Sequence, residues 1–217
     1  MTALIELRDV HYAYEGHVPV LKGLSMALEP EERLVISGPN GAGKSTLLRI
    51  IVGLQHPIKG AVHAFGQQRN EEKDFAEVRR RAGFVFQDPD DQLFCPTVIE
   101  DIAFGPLNLG KSKAEAEQIT LDTLSQLDLL HLKDRITYKL SGGEKRLISL
   151  ACVLAMEPEV LLLDEPTNAL DEKNEARLTE ILLSLPQAMV IVSHDANFRN
   201  TLAHRQLYLK EGVLQHG

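Results

Sequence analysis

The sequence predicts an α/β fold with a mainly parallel core sheet and one helical subdomain, and three observations carry that prediction. Leu34-Val35-Ile36-Ser37 reads as a short buried strand, Gly38 to Thr46 as a glycine-rich turn, and Leu47 to Val52, closed by Gly53, as a helix. Val160-Leu161-Leu162-Leu163 is an unalternating apolar run, suited to a central parallel strand covered on both faces. Between about 88 and 156 the strand-like runs stop and helical spacing takes over.

From the N-terminus, Leu4 to Val10 opens with alternating apolar residues and reads as an edge strand. Val20 to Leu28 is a second strand ending at Glu29-Pro30, and Ala61 to Phe65 a third after the turn from Pro57 to Gly60. Gln67 to Asp74 is polar and is expected to be an exposed loop. Phe75 to Arg81 reads as a short basic helix leading into the buried strand Ala82 to Phe86. After Gln87 comes turn chemistry, Asp88-Pro89-Asp90-Asp91, and Pro96 and Pro106 bracket a short segment. Ser112-x-x-Glu115 is a capping box opening a helix with Ala116, Ile119, Thr123, Leu127 and Leu130 at helical spacing. Helix Glu172 to Leu185 stops at Pro186, Met189 to Ser193 is the next strand, and Gln206 to Lys210 the last. The expectation is one domain over 1–217, with 1–87 and 157–217 as α/β core and about 88–156 as the helical subdomain.

A length of 217 residues, with 44% hydrophobic and 25% charged residues, fits one soluble globular domain with a sizeable core. The formal net charge of −8 argues against a nucleic-acid-binding surface, which needs a basic stripe. Cys95 and Cys152 show neither metal-ligand spacing nor a disulfide framework, which points to a reducing cytosol. No apolar run approaches the ~18 residues needed to span a bilayer, and the N-terminus has no signal-peptide pattern. Any membrane role is expected to come through a partner.

The turn Gly38-Pro39-Asn40-Gly41-Ala42-Gly43-Lys44-Ser45-Thr46 fits G-x-x-x-x-G-K-[ST], and its strand–turn–helix context gives the pattern a mechanism. Glycines let backbone N–H groups curl inward onto phosphate oxygens, and the helix N-terminus adds partial positive charge. Lys44 is expected to neutralise the β- and γ-phosphates of ATP, and the Ser45 hydroxyl to ligate Mg²⁺. Asp164-Glu165 stands at the end of the apolar strand, where open α/β sheets place ligands. Asp164 is expected to hold Mg²⁺ through water, and Glu165 to polarise the attacking water or take its proton.

Leu140-Ser141-Gly142-Gly143-Glu144 narrows the class. With it the chain resembles the ABC (ATP-binding cassette) ATPases over essentially its whole length, which implies a P-loop fold with an N-terminal antiparallel β part. Ser141-Gly142-Gly143 resembles their signature sequence, whose helix contacts the ATP held by a partner subunit. Ser141-x-x-Glu144 is also a capping box, yet capping does not ask for two glycines in the first turn, and close approach of a ligand to the backbone explains them better. The resemblance further implies that Tyr14 stacks on adenine, that Gln87 touches Mg²⁺ and hinges the helical subdomain, and that Asn168-Ala169-Leu170-Asp171 crosses a dimer interface. It also implies that His194, in Ser193-His194-Asp195, reaches the γ-phosphate. Two positions depart from the family: Glu144 stands where glutamine is more common, and Leu147 where arginine is frequent, with Arg146 one place earlier.

A narrower resemblance lies in Phe86-Gln87-Asp88-Pro89-Asp90-Asp91-Gln92-Leu93-Phe94 and in Thr97 to Pro106. These segments are similar to the ATPases of energy-coupling-factor importers, which take up cobalt, nickel and vitamins. It implies a homodimer or a pair with a close paralogue, an integral membrane partner gripped by the 86–106 segment, and a peripheral place on the cytoplasmic face of the membrane. Leu93, Phe94, Ile99, Ile102 and Phe104 are the apolar residues of that segment, and Asp90 and Asp91 form an acidic turn expected to lie exposed at the docking surface. Two other readings share the nucleotide residues: a soluble ATPase of cofactor or iron–sulfur assembly, and a DNA-maintenance ATPase, against which the absent basic face counts.

Overall fold

The computed structural model describes residues 2–216. The chain begins with β1 (Ile5–Tyr12) and β2 (Leu21–Leu28), passes through β3 (Arg33–Ser37) and α1 (Lys44–Ile51), then forms β4 (Lys59–Ala64) and β5 (Gln67–Arg69). Next come α2 (Glu72–Arg81), β6 (Ala82–Val85), α3 (Val98–Asn108), α4 (Lys113–Gln126) and α5 (Gly142–Leu154). The last elements are β7 (Val160–Asp164), α6 (Glu172–Ser184), β8 (Ala188–Val192), α7 (Ala196–Leu202), β9 (Arg205–Lys210) and β10 (Val213–His216). They form an antiparallel sheet in the order β2-β1-β4-β5 and a second sheet in the order β10-β9-β3-β8-β7-β6. In the second sheet only the β9–β10 pair is antiparallel.

Alternation along the central strands explains their continuous apolar runs. In β7, Val160 and Leu162 face one core cluster and Leu161 and Leu163 the other. In β8, Val190 and Val192 join the first while Met189 and Ile191 join the second. One face is covered by α1 and the antiparallel sheet, through residues such as Leu47, Ile51 and Leu24. The other is covered by residues of the helical segment, including Ile102, Leu124 and Leu147, together with Leu178 and Phe198. A strand buried on both sides has no polar face to alternate with.

Several sequence expectations need correction. The first strand is not an edge: β1 lies between β2 and β4. Gln67 to Asp74 is not all loop, because β5 pairs with β4 and the Arg69 guanidinium, 5% exposed, caps the Ala64 carbonyl. Lys210 does not end the sheet, since β10 returns along β9. The capping box of α4 is present as read, with Ser112 N donating to Glu115 Oε2 at 2.8 Å and Glu115 N donating to Ser112 Oγ at 3.3 Å. Its helix stops at Gln126, short of Leu130.

Candidate functional site

The glycine turn leaves β3 and enters α1 across the carboxyl edge of the second sheet. Gly38 lies at φ +150°, and a Cβ there would stand 2.2 Å from the Leu209 carbonyl oxygen, so the turn passes over β9 only because it has no side chain. Gly43 is left-handed at φ +102°, with Val20 Cγ1 2.7 Å from where its Cβ would be. α1 therefore opens without a side-chain cap and with no acidic residue in its first turn. Its leading N–H groups stay open to an anion. Lys44, 7% exposed, curls back so that Nζ donates to the carbonyls of Gly38 (2.8 Å) and Pro39 (3.1 Å). Tyr14 reaches the same turn: its hydroxyl shares a 2.9 Å hydrogen bond with Thr46 Oγ1, and its ring packs edge-on against Tyr12 at 5.0 Å.

The end of β7 supplies two carboxylates of opposite circumstance. Asp164 is 3% exposed, and its Oδ1 is buried without a hydrogen-bond partner. Burial pushes its carboxyl above the ordinary range, opposed by a hydrogen bond from Ser45, while the Glu165 charge adds to the rise and Arg49 and Lys44 oppose it. Glu165 sits at φ +46°, its N–H donating to the Val192 carbonyl at 2.9 Å. Its Oε2 accepts from His194 N at 3.2 Å and from His194 Nδ1 at 2.8 Å. A carboxylate only accepts, so Nδ1 carries the proton and Nε2 is left free on a ring that is 66% exposed. The second oxygen of Glu165 and the imidazole are thus pre-oriented.

Two clefts meet here. The first, about 560 Å³, is lined by Tyr14, Asn40, Gly41, Gly43, Lys44, Ser45, Thr46, Gln87, Glu165 and His194, ten of the residues singled out from the sequence, together with Val20 and Asn168. The second, about 450 Å³, shares Gln87 and Asn168 with it and adds Asp164, Arg146 and Gly142. Gly38 and Pro39 lie behind the turn beside His194, and Ala42 packs on the core. Ser141, Gly143, Glu144 and Asp171 line neither cleft. Asp171 instead caps α6, its Oδ1 accepting from Asn174 N at 2.8 Å.

α5 begins with a closed capping box. Ser141 N and Oγ donate to Glu144 Oε2 at 2.7 and 2.8 Å, and Glu144 N donates back to Ser141 Oγ at 3.3 Å. Its two glycines have different surroundings in the single chain. A Cβ on Gly143 would meet Asn174 Nδ2 at 2.4 Å, so a larger residue there would have to displace the side-chain amide of the neighbouring helix. Gly142 alone faces open space. The family departures also resolve: Leu147 is a core residue, and Arg146 turns instead onto the backbone of Phe86 and Gln87. Sequence reasoning missed Val20, placed Asn168 on the loop crossing a dimer interface without giving it a part in the cleft, and did not weigh Arg146 as a site residue. Arg146, noted only as a displaced arginine, was the available signal.

The oxygen donors gathered here, the unpartnered Asp164 Oδ1, the Ser45 hydroxyl and the Gln87 amide, fit a hard divalent cation that keeps waters and takes other ligands from substrate phosphates. An uncapped helix N-terminus, a buried lysine and an oriented carboxylate–imidazole pair around one cleft define a P-loop nucleoside triphosphatase.

Comparison with known proteins gives the family. The ABC transporter family model matches residues 21–168. A cobalt import ATP-binding protein, CbiO, of Rhodobacter capsulatus is 45% identical over 222 residues, covering 100% of this chain and 79% of that protein. The energy-coupling factor transporter ATP-binding protein EcfA of Methanothermobacter thermautotrophicus is 42% identical over 215 residues, covering 97% and 69%. Among solved structures, cbiO1 from Clostridium perfringens, part of the ABC transporter complex cbiONQ, superposes with a TM-score of 0.89 at 32% identity, covering 99% of this chain and 88% of that one. A dimeric cassette in a post-hydrolysis state, bound to ADP and Pi, gives 0.86 at 28% identity, covering 98% of each. The chain belongs to the ABC transporter family as an ATP-binding, ATP-hydrolysing subunit, and its likeness extends to the energy-coupling-factor group.

Proposed function

We propose that this subunit powers an energy-coupling-factor importer for a transition-metal ion such as cobalt or nickel, or for a vitamin, from the cytoplasmic face of the membrane. The observation that carries the reading is an apolar groove of about 320 Å³ beside the nucleotide clefts. Phe94 and Phe104, 64% and 44% exposed, stack edge-on at 4.8 Å on its rim. Phe86 lines both this groove and the second cleft, so a helix of a membrane subunit seated here lies one residue from Gln87. Leu93 and Ile102 are core residues and Ile99 is half-buried, which leaves the two phenylalanines as the docking contacts. The acidic turn is less free than its sequence suggests: Asp90 Oδ1 accepts from Lys145 Nζ at 2.5 Å. No described helix is long and apolar enough to cross a membrane, in keeping with attachment through a partner.

Two chains would close on two ATP molecules. ATP would place its phosphates on the N–H groups of Gly38 to Thr46, and Lys44 would exchange its loop carbonyls for the β- and γ-phosphates. Tyr14 would leave Thr46 to stack on adenine. Mg²⁺, held by Ser45, Gln87 and, through water, Asp164, would neutralise phosphate charge. Glu165, steadied by His194, would polarise the attacking water, and His194 Nε2 would meet the γ-phosphate. Ser141, Gly142, Gly143, Glu144 and Asp171, outside this chain's own first cleft, would act from the partner copy.

The double variant Phe94→Ser, Phe104→Ser tests the reading, because both side chains are exposed and their loss spares the core. ATP hydrolysis by the isolated subunit should persist, while ATP-driven uptake of Co²⁺ or Ni²⁺ by proteoliposomes containing the membrane subunits should be lost. Uptake at the unmodified level would overturn it.

A further inference from the structure

The segment that follows β6 is fastened to α5 more than to the sheet it leaves. Arg146, 2% exposed, donates from Nη1 to the Phe86 carbonyl at 2.6 Å and from Nη2 to the Gln87 carbonyl at 2.5 Å. Lys145 Nζ holds Asp90, and Gln92 bridges by donating from Nε2 to the Ser149 carbonyl at 2.8 Å while its Oε1 accepts from Phe86 N at 3.3 Å. Residues 86–92 thus carry four attachments to one helix, and that helix opens with Ser141-Gly142-Gly143.

Arg146 is the costly member of the set. Its guanidinium is desolvated, its Nε has no partner, and no carboxylate lies in ion-pair contact with it among the described residues. Burying such a charge opposes folding unless hydrogen bonds compensate, and a methionine would fill the same space without that penalty. The rigid fork of arginine gives what methionine cannot, simultaneous hold on two consecutive carbonyls. One helical residue on, Leu147 points into the core, so the arginine serves this segment only from position 146.

We propose that Arg146 is a positioning residue through which the signature end of α5 sets the place of Gln87 at the nucleotide. The inference rests on the reading of Gln87 as a ligand of the metal that accompanies ATP. A shift of α5 on contact with a partner copy's nucleotide carries the Phe86 and Gln87 carbonyls with it, and the Gln87 side chain enters or leaves the cleft accordingly. Arg146 lines the second cleft beside Asp164, and the role assigned to it runs through the Phe86 and Gln87 carbonyls that it holds.

The test is a double-mutant cycle between Arg146→Met and Gln87→Ala, with Arg146→Lys as the variant that keeps the charge and reaches one carbonyl. Hydrogen exchange on nucleotide-free protein should show residues 86–92 opening roughly tenfold faster in both Arg146 variants, with the second half of α5 still protected. ATP affinity should hold, while kcat falls on the order of tenfold and more Mg²⁺ is needed for half-activation, as expected when a ligand group is misplaced. On the Gln87→Ala background, Arg146→Met should lower kcat no further. Independent, multiplying losses, or unchanged exchange over 86–92, would overturn the role of Arg146 and leave Gln87's standing. Unaltered Mg²⁺ dependence in Gln87→Ala alone would overturn both.

Discussion

Two helices of this chain open on glycine, and they are built in opposite ways. α1 begins after the left-handed Gly43, with no capping side chain and no acid in its first turn. α5 begins after Ser141, with the Ser141 and Glu144 N–H groups answered by a reciprocal box and a carboxylate seated at Glu144. An open helix N-terminus attracts phosphate, whereas one already satisfied by an anionic side chain opposes it. The first is free of any competing anion, whereas the second carries the Glu144 carboxylate beside its open Gly142. The second becomes a phosphate site when a phosphate competes for the Ser141 hydroxyl and the open face of Gly142, which is the work expected of a partner's nucleotide.

The largest effect separates binding from turnover. Glu165→Gln should keep ATP in the first cleft, since neither Lys44 nor the glycine turn is altered, and lower turnover by roughly 10²–10⁴-fold. The trapped nucleotide should then hold two chains together, visible by size-exclusion chromatography with ATP present. A variant that hydrolyses normally removes Glu165 from the reaction. Ser141→Arg addresses the second helix. It loses an N-cap worth about 1 kcal/mol and sets bulk beside Gly142, yet it stands outside the first cleft. ATP binding by dilute monomer, followed by calorimetry, should be unchanged, and ATP-dependent pairing and turnover should be lost. Equal loss of monomer affinity would show that α5 serves its own chain's nucleotide.

Which of these features could be read from the sequence follows from how local their causes are. The glycine turn, the acidic end of β7 and the capping boxes are short-range devices, and seven of the ten residues around the first cleft were legible from them, while Tyr14, Gln87 and His194 came only through the family resemblance. β5 and β10 were not, because Gln67-Gln68-Arg69 carries no apolar alternation and β10 follows a two-residue turn that looks like a chain end. Strand β1 has the alternation of a half-exposed edge, yet β4 arrives to cover its free side from more than forty residues away. The approach of Asn174 to Gly143 and the grip of Arg146 on Phe86 and Gln87 are long-range contacts between elements, visible only once α5 is packed.

The smallest effect sharpens the comparison most, because it changes one atom type at the closed helix. Glu144→Gln keeps an oxygen able to accept from Ser141, so the box and the fold should hold. It removes a negative charge from the helix end where a second negative charge must arrive. The variant should therefore form the ATP-dependent dimer at lower ATP concentration, by roughly two- to fivefold if the charge term is worth the 0.3–1 kcal/mol usual near a helix terminus. The same change should cost the single chain a little stability, with a definite pH dependence. Hydrogen bonds from the Ser141 backbone and hydroxyl hold the Glu144 carboxyl below its ordinary 4.5. A depressed folded value contributes stability above 4.5 that is lost as pH falls through the folded value. Urea unfolding should show wild type slightly more stable than Glu144→Gln at pH 7, with the gap closing as pH drops below about 4.5. Weaker pairing of the glutamine variant at pH 7 would mean that the carboxylate assists the partner's nucleotide rather than opposing it, and the contrast between the two helix ends would then be one of ligand geometry, not of charge.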